Sequence, residues 1–283
     1  MDDKDLPIPS PDADGAIEEV ASRIAESAST RKQRITKKFL IAALGSIPWI
    51  GGLLSAGAEI RGDEADVEAD DLRTQWLHEH QRKLEELAKT IQHIRDRFES
   101  IGEEVEERIQ SPQYLAIVRQ AFKAWDNAET DDKRQFVANI VANSAGTRVC
   151  TDDVVRLFIS WLDTYHEAHF AVIRELHNNP GSTRFGIWSE IYGDLPREDS
   201  AEADLYRMMI RDLSTGGVIR QARDTTETGE FVRKKPARRR GPSPRTMESS
   251  FEDSKPYVLT ELGRQFVHYT FMGDVQRLEN TDE

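Results

Sequence analysis

The sequence predicts a mostly α-helical chain, with a helical bundle in its N-terminal part and a small α+β module at its C-terminal end. Three observations predict this. Apolar residues recur three and four apart through Leu84, Leu87, Ile91, Ile94, Phe98, Ile101 and Val105, with Leu77 one heptad upstream, the mark of a long helix packed lengthwise on another helix. An uncharged run of about twenty residues, Phe39 to Ala58, is interrupted by Pro48 and by Gly45, Gly51, Gly52 and Gly57. Near the C-terminal end, three helical patterns precede two short strand-like segments that flank a polar, basic insertion.

Composition bounds the function. The 283 residues carry a formal net charge of -13, with 38% hydrophobic and 31% charged residues, enough apolar material for about two domains. So acidic a chain is repelled by nucleic acid and by anionic lipid, so contact with either needs a local basic patch. One cysteine, Cys150, rules out an intrachain disulfide, and a reducing compartment is expected. No apolar run begins within the first thirty residues, which speaks against a secretory signal.

Taken in order, residues 1–14 read as an acidic, proline-rich tail. Ile17, Val20, Ala21, Ile24 and Ala28 mark a short amphipathic helix. A basic cluster, Arg31, Lys32, Arg34, Lys37 and Lys38, leads into the apolar run. Pro48 removes an amide donor in mid-run and Gly51-Gly52 supplies a turn, so two short helices form a hairpin too short to span a bilayer. Three placements stay open for it: core of the bundle, conditional insertion into a membrane, or a constitutive span. In a membrane the contacting side chains are Phe39, Leu40, Ile41, Leu44, Ile47, Trp49, Ile50, Leu53 and Leu54, with Trp49 at the interface.

The long helix is expected within 64–110, which has no proline, and Ser111-Pro112 ends it. His80 and Arg108 put polar groups in its apolar register. A helical middle region follows at 112–163, where Thr130 can cap one helix and Asp152 or Asp153 the next. The expected division is thus a tail at 1–14, a bundle at 15–111, the middle region at 112–163, the C-terminal module at 164–273 with its insertion at 222–255, and a tail at 274–283.

In that module, helices near 167–177, 188–192 and 200–215 precede a strand at 218–221, the insertion, a returning strand from Tyr257, and a final helix at 264–271. The segments Leu213-Ser-Thr-Gly-Gly-Val-Ile219 and Tyr257-Val-Leu-Thr-Glu-Leu-Gly263 pair as the helix exit and wing return of a winged-helix-like module. The helix that would read DNA exposes Glu202, Asp204 and Asp212 beside only Arg207 and Arg211, which disfavours base readout. The basic residues lie in the wing instead: Arg233, Lys234, Lys235, Arg238, Arg239, Arg240 and Arg245. These, with the cluster at 31–38, are the candidates for an anionic surface or nucleic acid.

Catalytic patterns are missing from the sequence. His78 and His80 point to different sides of a helix, and His166 and His169 lack the zinc-protease spacing of four. No phosphate loop, dinucleotide glycine pattern or nucleophile elbow is present. No enzyme activity, metal or cofactor is expected.

The stretch "KAWDNAETDDKRQFVANIVANSAG" with "DDVVRLFISWLDTYHEAHFAVIREL", followed by "YVLTELGRQFV", resembles the Abi-alpha type of bacterial abortive-infection proteins. The matching positions are Glu129, Phe136, Ala138, Asn139, Leu162, His166, Leu259, Thr260, Gly263 and Phe266, within 123–271; the long basic wing departs from the pattern. The resemblance implies a bacterial source and a role in phage defence, and carries over no catalytic residue.

Three functional readings follow. In the first, a defence protein acts by conditional membrane association of the 39–58 hairpin, with the C-terminal module as sensor or docking domain. The second is a winged-helix DNA-binding regulator, and the third a helical scaffold or oligomerisation protein. Expected partners are membrane lipid, then a protein or second copy through the 77–105 heptad helix, with nucleic acid after both. The expected location is cytoplasmic and peripheral on the inner membrane.

Overall fold

A computed structural model describes residues 30–50, 67–101, 104–146, 149–223 and 248–271. The expected tails, the helix at 16–28 and most of the basic insertion lie outside the described residues. The described chain is mostly helical, with one two-stranded sheet. It divides into two compact units, 1–164 with 269–283, and 165–268.

The first unit is built from α1 (Thr30–Leu44), α2 (Val67–Ile101), α3 (Glu104–Gln110), α4 (Pro112–Asn127), α5 (Asp131–Gly146) and α6 (Asp152–Thr164). Helix α1 begins in the basic cluster and runs into the apolar segment without interruption, because nothing between Thr30 and Leu44 breaks a helix. The chain turns at Gly45–Ile47, and Pro48 opens the next helical turn rather than breaking one. That fits proline, whose missing amide costs nothing at a first helical position. The expected turn at Gly51-Gly52 lies outside the described residues.

Helix α2 packs chiefly on α5. Leu87, Ile91 and Ile94 are buried there, as is Val105 of α3. The heptad stripe is therefore covered within the unit and leaves no open seam at these positions. It also ties residues expected in separate blocks, 15–111 and 112–163, into one unit. Arg108, expected to weaken that stripe, instead donates to both Asp152 oxygens at 3.1 and 2.5 Å and lies 5.3 Å from the centre of the Tyr114 ring.

Helix α4 starts as its sequence dictates: Ser111 Oγ accepts from the Tyr114 amide at 3.2 Å, and Pro112 takes the first position. Tyr114, Phe122 and Trp125 of α4 are fully buried. The Trp125 indole donates to Thr90 Oγ1 at 3.0 Å and the Tyr114 hydroxyl to the Val141 carbonyl at 2.8 Å, so both of these buried donors are satisfied.

The asparagines of "VANIVANSAG" have a structural task. The Asn139 side chain donates to the Thr270 carbonyl at 2.6 Å, and that of Asn143 to the Tyr269 carbonyl at 3.1 Å. Four residues apart, they project from one face of α5 onto carbonyls that a helix end leaves unpaired.

The second unit contains α7 (Glu167–Asn178), α8 (Arg184–Tyr192), α9 (Ala201–Thr215), β1 (Ile219–Gln221), β2 (Tyr257–Leu259) and α10 (Glu261–Thr270), whose last two residues count with the first unit. β1 and β2 pair antiparallel, with Ile219 opposite Leu259. Thr183 and Ser200 cap α8 and α9 through their hydroxyls. The final helix starts at Glu261, directly after β2, rather than after a turn at Arg264, because Thr260 serves both elements. Its Oγ1 donates to the Gly217 carbonyl at 2.5 Å and accepts from the Gly263 amide at 2.9 Å.

Candidate functional site

The apolar run is where sequence and packing bear most directly on function. Its described part, Phe39–Ile50, faces the interior of the first unit. Phe39, Leu40, Leu44, Ile47 and Ile50 are at most 4% exposed, and Ile41 is half-buried. The Phe39 ring meets Phe98 of α2 edge-on at 5.5 Å and Phe122 of α4 at 6.1 Å. Burying each such side chain is worth about 1.5–3 kcal/mol. Releasing five of them would cost on the order of 10 kcal/mol, comparable to the whole stability of an ordinary domain. Leu53 and Leu54 lie outside the described residues. No helix among the described residues is long and apolar enough to cross a membrane.

Trp49 closes this segment with a polar clasp. Its indole donates to Asp126 Oδ1 at 2.7 Å. Lys83 of α2 donates to the same oxygen at 3.0 Å and lies 5.8 Å from the indole ring centre. Asp126, at the end of α4, thus joins three elements through one carboxylate. An interfacial tryptophan keeps its N–H for water or headgroups; here that donor is occupied by protein. Sequence reading missed Lys83 and Asp126, because residues 43 apart join only when the fold brings the end of α4 to α2.

Of the basic candidates, Lys37 is half-buried and Lys38 exposed. Arg31, Lys32 and Arg34 lie in α1, but their side chains fall outside the described ones. Arg233, Lys234, Lys235, Arg238, Arg239 and Arg240 lie outside the described residues altogether.

In the second unit, α9 exposes Glu202, Asp204 and Arg211, together with two large apolar side chains, Leu205 at 51% and Met208 at 44% exposure. The inner face is Ala203, Tyr206, Met209, Ile210 and Leu213. Arg207 points along the surface to Asp204 at 2.9 Å and Glu198 at 3.6 Å.

His169 is a core histidine. It is 3% exposed, stacks on Tyr165 at 5.1 Å, and its Nδ1 accepts from the His166 amide at 3.2 Å. Burial pushes its pKa below the usual imidazole range; Asp212, with an oxygen 3.9 Å from Nε2, pulls partly the other way, and His166 adds to the lowering. Because the fold holds the neutral ring, the stability it contributes is present above about pH 6.5 and lost as pH falls further. The urea midpoint of the chain is therefore expected to drop between pH 7 and pH 5.5. His169→Phe is expected to shrink that drop, and an unchanged drop would show that other groups carry it.

Cys150 is a free thiol whose pKa burial pushes up, the opposite of what a nucleophile needs. Among the described residues, no cluster of three or more histidine, cysteine or carboxylate side chains could hold a metal ion. Comparison with protein-family models, with curated proteins and with solved structures finds no match to this chain.

Proposed function

We propose that this chain is a bacterial phage-defence protein of the abortive-infection type that acts at a membrane. In this reading the apolar run 39–58, whose described part Phe39–Ile50 is packed in the first unit, is held back until a trigger releases it. The second unit, winged-helix-like in its order of three helices, two strands and a closing helix, is the sensing or docking part. The observation that carries the reading is the clasp. An apolar segment with no charge of its own is pinned at Trp49 by one carboxylate shared with Lys83.

The scale of the burial explains why release would need a trigger: thermal opening against roughly 10 kcal/mol is rare. A membrane would repay that cost by taking up the same side chains. Asp126→Ala removes the carboxylate that accepts from both Lys83 and the Trp49 indole. The variant chain is expected to float with vesicles of anionic phospholipid several-fold more than the unaltered chain, and deletion of 39–58 to abolish the effect. If the variant remains folded by circular dichroism and does not float, the membrane reading falls.

A DNA-binding regulator is the second reading, favoured by the order of elements in the second unit. The exposed Glu202 and Asp204 on α9 count against it, since carboxylates beside phosphates weaken binding.

A further inference from the structure

Large apolar side chains are exposed unevenly along the described chain. Apart from Leu157, all of them lie between Phe185 and Met208, on α8, α9 and the loop that joins them. Scattered exposure needs no explanation, whereas a concentration of it marks a contact surface. Helix α9 carries this furthest, because its inner face is complete without them. Ala203, Tyr206, Met209, Ile210 and Leu213 are buried, while Ala201, Leu205 and Met208 are exposed. Spaced four and three apart, these three form a second apolar stripe on the outer side of the helix.

The charges beside that stripe bear on what covers it. Asp204 and Arg211 are exposed, and seven residues apart they stand on the same flank of it. The Asp204 carboxylate, 70% exposed, pairs with Arg207 of its own helix, a weak kind of pair that can exchange. Arg211 makes no ion pair among the described residues. If a second copy of α9 is laid antiparallel on the first, with a two-fold axis at the level of Arg207, like flanks meet in reversed order. Each Leu205 then faces a Met208 of the other copy, and each Asp204 faces an Arg211. A parallel pair would instead set Asp204 against Asp204 and Arg211 against Arg211, which repels.

We propose that the outer face of α9 is a homodimer interface, closed antiparallel by a second copy of this chain through Leu205, Met208, Asp204 and Arg211. The pattern is self-complementary, which is what a two-fold contact requires. The heptad stripe of α2, the other candidate for an oligomer seam, is buried at Leu87, Ile91 and Ile94; the face open to a second copy lies on α9 instead. A seam of two helical turns is small beside a standard interface of about 1,600 Å², so the dimer is reversible and dilution dissociates it. Two chains of net charge -13 repel each other at long range, so pairing is stronger at physiological than at low ionic strength. The inference stands apart from the membrane reading, since neither flotation outcome fixes the mass of the chain in solution.

Sedimentation equilibrium of the full chain, over a range of concentrations at physiological ionic strength, tests the proposal. A reversible monomer–dimer equilibrium is expected. Leu205→Glu sets a carboxylate in the apolar seam and is expected to weaken association at least about tenfold. Asp204→Lys and Arg211→Glu are each expected to weaken it several-fold, and the two together to restore it, because the reversed charges again face each other. Leu157→Glu, at an exposed position of α6, is the control and is expected to associate as the unaltered chain does. Circular dichroism confirms that each variant folds. A monomeric mass at every concentration would overturn the proposal and leave the face to a different partner. A dimer indifferent to Leu205→Glu would overturn it by placing the contact elsewhere. A double charge variant no stronger than the single ones would overturn the antiparallel pairing.

Discussion

Phe39→Ala is expected to destabilise the first unit by about 3–5 kcal/mol, the range for emptying a buried phenylalanine site. The side chain is 1% exposed and its ring is wedged between Phe98 and Phe122, from two different helices. Removing it leaves a void with stiff aromatic walls that cannot close by a simple rotamer change. Urea unfolding followed by tryptophan fluorescence measures the loss, because Trp125 is buried in the same unit. The outcome also separates two views of the segment. A residue held outside the core for later contact with lipid would leave stability in water almost unchanged on truncation, within about 0.5 kcal/mol. A large loss means that the segment is core in the resting state, and that any membrane role begins with its extraction.

Gly263→Ala is expected to cost more than a methyl group ordinarily would, at least about 2 kcal/mol. A Cβ at this position would overlap the Val218 carbonyl oxygen. Val218 is held on both sides: its amide donates to Leu213 at 2.9 Å, and its carbonyl accepts from the Thr260 amide at 2.9 Å. Backbone pinned in this way cannot move aside without losing bonds between the sheet and the final helix. Gly186→Ala, in α8, is the contrast. There the new Cβ meets nothing closer than Thr183 Oγ1 at 3.5 Å, so the gain in helix propensity, about 1 kcal/mol at most, is expected to show. The same substitution thus has opposite signs at two helical glycines. Equal effects at both would mean that the approach of α10 to Val218 is looser than the geometry indicates.

The turn chemistry around Val218 was legible in the sequence. Gly217 adopts φ +76°, a conformation glycine reaches without cost, and Thr260 caps the last helix, so both follow from local rules. The long helix was legible too: Leu87, Ile91 and Ile94 recur at a spacing that only a helix turns into one buried face. The asparagine pair of α5 was visible as a motif but not as a task, since its acceptors lie more than a hundred residues away in the chain.

What the sequence by itself determined was the mostly helical character, the long apolar stripe and the local stops and caps, because these depend on spacing and on backbone preferences within a few residues. Only the tertiary structure decided which neighbours each apolar face meets. It buried Phe39–Ile50 among α2 and α4, turned Leu205 and Met208 outward, and brought Asp126 to Trp49. Periodicity fixes that a helix has an apolar face; it does not say what covers that face, because the covering surface comes from chain far away in sequence, chosen by shape and by the pairing of buried polar groups.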